Sequence, residues 1–188
     1  MQSGMQPLHY AVVAYVRNPV GRFVEDLRHE VYPEYAHLPA HLTLLPPRLL
    51  RGTESAAVRD LEEMCATAEP FEVTMDGVES FVPVTPTVYI RVDSGSQHMH
   101  DLHQHLNSGV FQFDEQWPYH PHLTIVKLAS DHLVPQAVEF SRRRWQLYRA
   151  TRRILVDQLT FVREGENNCW VDLAPVPLGG RMASRPRP

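Results

Sequence analysis

The sequence predicts an α+β domain with mainly antiparallel sheet, built from a duplicated unit. Three observations point there. Short apolar runs alternate with stretches of helical period in the order β-α-β-α-β-β-α-β-α-β-β. The tetrapeptide His41-Leu42-Thr43-Leu44 returns as His122-Leu123-Thr124-Ile125, and 122 − 41 = 81. A chain of 188 residues, 43% hydrophobic and 21% charged, can bury a core of its own without disulfide staples.

The elements follow in order. Leu8 to Val16 is apolar and rich in valine and tyrosine, as a buried strand is, and Asn18-Pro19 ends it. From Val20 to Tyr32, Phe23, Val24, Leu27 and Val31 recur at helical spacing. His41 to Leu45 is a short strand that Pro46 and Pro47 are expected to stop. Glu54 to Ala68 carries Ala57, Val58, Leu61, Met64 and Cys65 on one helical face. Phe71 to Val82 and Thr87 to Val92 are strands, and Gln97 to Leu106 is a helix striped by Met99, Leu102 and Leu106. An aromatic loop, Phe111 to Tyr119, leads to the strand His122 to Leu128. A helix over 132–148 precedes closing strands at 153–163 and 169–173. One domain is expected over residues 1–175. Residues 176–188, rich in proline, glycine and arginine, are expected to form a disordered tail.

The repeat extends beyond its core. At the same offset Val73-Thr74-Met75-Asp76 lies opposite Ile154-Leu155-Val156-Asp157, and Tyr89-Ile90 opposite Trp170-Val171. Thr87 to Val92 closes the first unit and opens the second. Two like strands related by a pseudo-twofold axis bring two copies of one chemistry to one place.

That chemistry is set by strand geometry. Side chains at i and i+2 share a face, so His41 with Thr43, and His122 with Thr124, face one way while the leucines and Ile125 face the other. Imidazole titrates near neutral pH: one ring can take a proton from water while the other donates one to a leaving oxygen. Threonine hydroxyls can hold non-bridging phosphate oxygens. The set suits opening of a cyclic phosphodiester, whose leaving oxygen stays tethered to the ribose.

Other features bound the partners. A net charge of −4 and a pI of about 6.2 argue against a long nucleic-acid footprint and for a substrate gripped locally, at an RNA end or as a small nucleotide. Cys65 and Cys169 fit neither a zinc nor a CxxC spacing and are expected to be thiols in a reducing cytoplasm. Met1 to Pro7 has no signal-peptide pattern, and no apolar run approaches the ~20 residues that span a bilayer. His98, His100, His103 and His105 lack an Asp, Glu or Cys partner at ligand spacing, so neither metal nor cofactor is expected. Trp117 and Tyr119 are candidates to stack a base, and Arg48 and Lys127 to add charge near the phosphate. Arg142-Arg143-Arg144 reads as a solvated helix end.

His41-Leu42-Thr43-Leu44 and His120-Pro121-His122-Leu123-Thr124-Ile125 resemble the paired motifs of the 2H phosphoesterase superfamily, which includes the bacterial 2′-5′ RNA ligase or RNA 2′,3′-cyclic phosphodiesterase group. The resemblance covers roughly residues 8 to 174. It implies a bilobal fold in which two antiparallel sheets flank a central groove with helices outside, and a metal-free site. It implies His41 as acid, His122 as base, Thr43 and Thr124 as phosphate ligands, and hydrolysis of a 2′,3′-cyclic phosphate to a 2′-phosphate. Two stretches depart from the bacterial group's pattern: Leu45-Pro46-Pro47-Arg48 replaces a Phe-Leu-Gly-like run, and Lys127 stands where arginine is common. The competing readings are a 2′-5′ RNA ligase and a non-catalytic module that binds RNA ends or nucleotides. A monomer is expected.

Overall fold

The computed structural model describes residues 8–33, 38–165 and 169–180. These residues form eight strands: β1 (Tyr10–Tyr15), β2 (His41–Arg48), β3 (Phe71–Ser80), β4 (Thr87–Val92), β5 (His122–Lys127), β6 (Arg153–Val156), β7 (Gln158–Glu164) and β8 (Trp170–Pro177). Four α-helices accompany them: α1 (Pro19–Val31), α2 (Glu54–Ala66), α3 (Ser96–Leu106) and α4 (Val134–Leu147).

The helices start where local chemistry allows. The Asn18 side chain accepts from the Val20 and Gly21 amides at 3.0 and 3.3 Å, and Pro19 holds the first helical position. Gly21 lets α1 begin directly against β1, because a Cβ there would stand 1.7 Å from the Val16 carbonyl oxygen. Thr53 caps α2 by accepting from the Ala56 amide at 3.2 Å.

All strand pairs are antiparallel, in the order β6-β3-β4-β5-β2-β1-β7-β8. The order reads the same from either end if β2 exchanges with β5, β1 with β4, β3 with β7 and β6 with β8. The two four-stranded halves are therefore not separate sheets. They meet edge to edge through one β2–β5 register pair, Leu42 with Leu123. Each half also wears the other's helix: α1, between β1 and β2, packs on β5, and α3, between β4 and β5, packs on β2. Leu42, Leu44, Leu123 and Ile125 are fully buried under these helices, each contributing about 1.5–3 kcal/mol by burial.

Several sequence expectations are corrected. Pro46 and Pro47 do not stop β2, which pairs with β1 as far as Arg48 opposite Tyr10. On its other side β2 meets β5 only at Leu42, so the missing proline N–H groups break no ladder bond. The stretch 153–163 is two strands, split at Asp157: β6 pairs with β3, while β7 pairs with β1 in the opposite half. The outer echoes of the repeat are not symmetry mates. Val73 pairs directly with Ile154, and the counterpart of β4 is β1, not β8. The chain does not become a tail at 176. β8 is a sheet edge, tolerates Pro175 and Pro177, and buries Val176, with Leu178 buried just beyond. The rest of the expected tail, 181–188, lies outside the described residues. Among the described residues no helix is long and apolar enough to cross a membrane.

Candidate active site

The site forms where the halves meet. Leu42 and Leu123 face the core, so the flanking residues face the open side of the sheet. The antiparallel register sets His41 opposite Thr124 and Thr43 opposite His122. The two imidazoles thus occupy one diagonal of a four-residue square and the two hydroxyls the other. Diagonal neighbours sit about 7–8 Å apart, a span that a phosphate hydrogen-bonded on both sides can bridge. His41, Thr43 and Thr124 line a cleft of about 800 Å³. His122, two residues before Thr124 on β5, lies against the rings of Phe81 and Tyr89, with centroids 4.9 and 5.2 Å away.

Both histidines are held alike. His41 Nδ1 donates to the Pro39 carbonyl at 2.8 Å, and His122 Nδ1 donates to the His120 carbonyl at 2.6 Å. A carbonyl can only accept, so Nδ1 carries the proton in each ring and Nε2 is left as the working atom. The backbone repeats too: the Val16 amide donates to Ala40 (2.8 Å), and the Val92 amide to Pro121 (3.3 Å). Desolvation lowers the pKa of His41 below the usual histidine range. The Pro39 carbonyl opposes that shift and the Arg28 charge adds to it. Desolvation pushes His122 down to about 4; the His120 carbonyl opposes it, and the His120 and His41 rings reinforce it.

Two side chains, the buried Arg28 and the half-buried Tyr119, hold the motif strands from behind. The Arg28 guanidinium, on α1, donates to the carbonyls of Ile125 (2.8 Å), Thr124 (3.0 Å) and Leu38. The Tyr119 hydroxyl donates to the Thr43 carbonyl at 2.8 Å. Each motif threonine therefore has its carbonyl held by a side chain from the other half of the chain.

A family model described as the 2′-5′ RNA ligase superfamily matches residues 16–168. The chain belongs to this 2′-5′ RNA ligase (2H phosphoesterase) superfamily. A relative that bears the name phosphoesterase, from Oceanobacillus iheyensis, is 31% identical over 121 residues, covering 64% of this chain and 71% of its own. Another, from Halalkalibacterium halodurans, is 23% identical over 173 residues, or 92% and 98% of the two chains. The fold is that of Escherichia coli LigT: its apo structure superposes with a TM-score of 0.62 at 15% identity, over 93% of this chain and 99% of LigT. A LigT structure complexed with 3′-AMP gives 0.60 at the same identity, over 92% and 99%. Membership makes phosphoester chemistry, hydrolysis or ligation, the activity class of this chain.

Within the superfamily framework the residues singled out from sequence separate cleanly. His41, Thr43, His122 and Thr124 come together, and Lys127 lines the cleft. Arg48 does not reach it. It is 1% exposed, paired with Glu115 and hydrogen-bonded to the Asn107 side chain (2.7 Å) and the Phe111 carbonyl (3.1 Å), because β2 carries it under the 107–115 loop. Tyr119 offers no stacking face to the cleft. Its ring lies parallel on His103 at 4.0 Å, and its role is the bond to Thr43. Trp117 is exposed on the preceding loop and is not among the cleft-lining residues. Three histidines of α3 make contacts away from the cleft: His103 Nδ1 donates to the Leu44 carbonyl at 2.7 Å, His98 stacks on Phe71 and His100 meets the Tyr119 edge. Of the arginine run, Arg142 donates to the Val78 carbonyl, and Arg143 and Arg144 pair with Glu139 and Glu30.

Sequence reading passed over Arg28, Tyr15, Phe81, Tyr89 and Arg91. Tyr15 faces the cleft beside His41, with its hydroxyl on Asp172 at 2.5 Å; burial first and that carboxylate second push its pKa up. Arg91 lies opposite His122. Alternation along β1 and β4 would have assigned both to the open face once the face of the histidines was known.

Proposed function

We propose that this chain hydrolyses a cyclic phosphodiester, the 2′,3′-cyclic phosphate of an RNA end or small nucleotide, to a 2′-phosphate. His122 Nε2 takes a proton from water as its oxygen bonds to phosphorus. The P–O3′ bond breaks in line, and protonated His41 Nε2 gives its proton to the departing O3′. Thr43 and Thr124 donate to the two non-bridging oxygens, where negative charge gathers. The aromatic surroundings of His122 favour the neutral ring that a base needs. The mechanism uses these four side chains and calls on no metal. The single observation that carries the reading is the diagonal pair of imidazoles with both Nδ1 atoms locked on carbonyls two residues upstream.

The test is turnover of a 2′,3′-cyclic nucleotide in EDTA, with the product assigned by phosphorus NMR. A 2′-monoester that forms in EDTA and is lost in both His41→Ala and His122→Ala is the expected result. Activity abolished by EDTA, or binding without turnover, would overturn the proposal. Joining of a 2′-phosphate to a 5′-hydroxyl in preference to hydrolysis would favour ligation instead.

A further inference from the structure

The pseudo-twofold axis relates the backbone on the two sides of the site but not the charge. Tyr15 lies opposite His41 and Arg91 opposite His122, so two residues further along the chain, just past each strand, Arg17 and Asp93 hold equivalent positions. The ends of the site differ accordingly. At the His122 end, Arg91 is met by Asp76, by Glu79 at 3.1 Å and by Asp93 at 3.9 Å. At the His41 end, Arg17 follows β1, β5 ends at Lys127, and α1 presents Arg22 and the buried Arg28. All four line the cleft. Glu25 and Asp172 also line it, but their carboxylates receive the Ala40 amide (2.8 Å) and the Tyr15 hydroxyl.

Apart from Arg28, the cations at this end are also unusual in having side chains without a polar partner. Of the arginines among the described residues, Arg28, Arg48, Arg51, Arg91, Arg142, Arg143, Arg144, Arg152, Arg153 and Arg163 each bond to a carbonyl, an amide oxygen or a carboxylate. The side chains of Arg17, Arg22, Arg59, Arg149 and Lys127 have neither ion pair nor hydrogen bond, although Arg17 lies over the Tyr15 ring at 5.5 Å. Three of these five line the cleft, and Lys127 is the chain's only lysine. A protein of net charge −4 that pairs most of its described cations elsewhere has set four cations against two carboxylates at the His41 end of the cleft, three of those cations without a carboxylate partner.

We infer that Arg17, Arg22 and Lys127 form a second anion subsite, which holds a phosphate of the substrate other than the one that reacts. The inference rests on the proposed reaction and sharpens it. In-line attack from the His122 side puts the leaving oxygen, and with it the nucleoside, on the His41 side. A 5′-phosphate or the next phosphodiester of an RNA strand then lies toward the three cations, while the acidic far end repels any strand extending the other way. The preferred substrate is a cyclic-phosphate nucleotide or RNA end bearing at least two phosphates.

Three substrates decide it: a 2′,3′-cyclic nucleoside monophosphate with a free 5′-hydroxyl, the same compound with a 5′-phosphate, and a dinucleotide ending in the cyclic phosphate. The second phosphate is expected to raise kcat/KM about tenfold or more in 50 mM salt. The ratio between 5′-phosphate and 5′-hydroxyl substrates should fall below about threefold in Arg17→Ala/Arg22→Ala and drop partway in Lys127→Ala, while Arg59→Ala and Arg149→Ala keep it. Preference for the dinucleotide over the 5′-phosphate compound marks the RNA end as the source of the phosphate, and the reverse marks a small nucleotide. A wild-type ratio near one, or a ratio retained in the double variant, overturns the subsite. Calorimetric binding of adenosine 2′-monophosphate against adenosine 2′,5′-bisphosphate gives the same comparison without turnover. If the wild type turns over no cyclic substrate yet binds the bisphosphate tenfold better through Arg17 and Arg22, the subsite stands and the reaction assignment falls.

Discussion

The β1–β2 and β4–β5 halves of the site share a backbone and differ in what surrounds it. In both, a histidine opens the motif strand and donates a hydrogen bond from Nδ1–H to the carbonyl two residues earlier, and a threonine follows on the same face. The neighbours then diverge. His122 is wedged against Phe81, Tyr89 and His120, whereas His41 has the edge of Tyr15 at 6.5 Å and the open cleft before it. Tyr15 stands where the other half has Arg91, and Arg17 where it has Asp93. Duplication of a strand pair supplies two identically held imidazoles; in the proposed mechanism the side chains around each decide which gives a proton, which takes one and from which end substrate arrives.

The comparison breaks most sharply at the rings themselves. Replacing either His41 or His122 by alanine should cost about 10²–10⁴-fold in kcat, with similar losses on the two sides because each ring is needed once per turnover. Steady-state kinetics on a cyclic nucleotide check this, and a variant retaining a tenth of wild-type kcat would remove that histidine from the mechanism. Thr43→Val and Thr124→Val each delete one donor to the phosphate oxygens, and a loss of about 10²-fold is expected from each. Strong asymmetry between them would show that only one hydroxyl faces the transition state.

The supports behind the strands come next. Tyr119→Phe keeps the ring on His103 and removes only the bond to the Thr43 carbonyl, so kcat should fall about tenfold with KM little changed and the melting temperature moved by a few degrees at most. Arg28→Met leaves three carbonyls without their donor, and a stability loss of about 1–3 kcal/mol should accompany a similar drop in kcat. Equal kcat in Tyr119→Phe and wild type would make that bond irrelevant to the site.

The smallest effect is on pH dependence. The His122 pKa is near 4 in the folded chain against about 6.5 unfolded, so between these values the unfolded state binds more protons. Stability is therefore unaffected by this group above about pH 6.5 and falls as the pH drops toward 4. Phe81→Ala, which admits water beside the ring, should raise the His122 pKa and flatten that slope, as read by NMR titration and by denaturation at pH 4.5 and 7.5. Because His41 is lowered as well, kcat/KM should peak below pH 6.5 and decline as His41 loses its proton.

The site's nucleus was legible because it depends on one short-range rule. Alternation along a strand puts His41 with Thr43, and the recurrence at 122 announces a second copy. The helix and strand runs were legible for the same reason, since periodicity is local. What needed the fold was every assignment that depends on which side of an element is occupied. Pro46 and Pro47 read as a stop, yet they lie where β2 has a neighbour on one side only. Arg48 read as a phosphate contact, but its strand carries it beneath a loop that supplies Glu115 and Asn107 from far along the chain. Arg28 carries no local signal at all, because an arginine on a helix is ordinarily solvated; only the packing of α1 on the other half's β5 makes it a donor to Thr124. The cut at Asp157, which sends one apolar run to opposite ends of the sheet, is likewise a fact of topology.

The account turns on one phosphate being held by both imidazoles at once. Nitrogen NMR of the two rings during titration with adenosine 2′-monophosphate reads this directly. Both Nε2 resonances should shift along one saturation curve with a single dissociation constant, while both Nδ1 resonances stay protonated. Movement of one ring alone, or two curves with different constants, would place the histidines in separate sites and contradict the shared cleft.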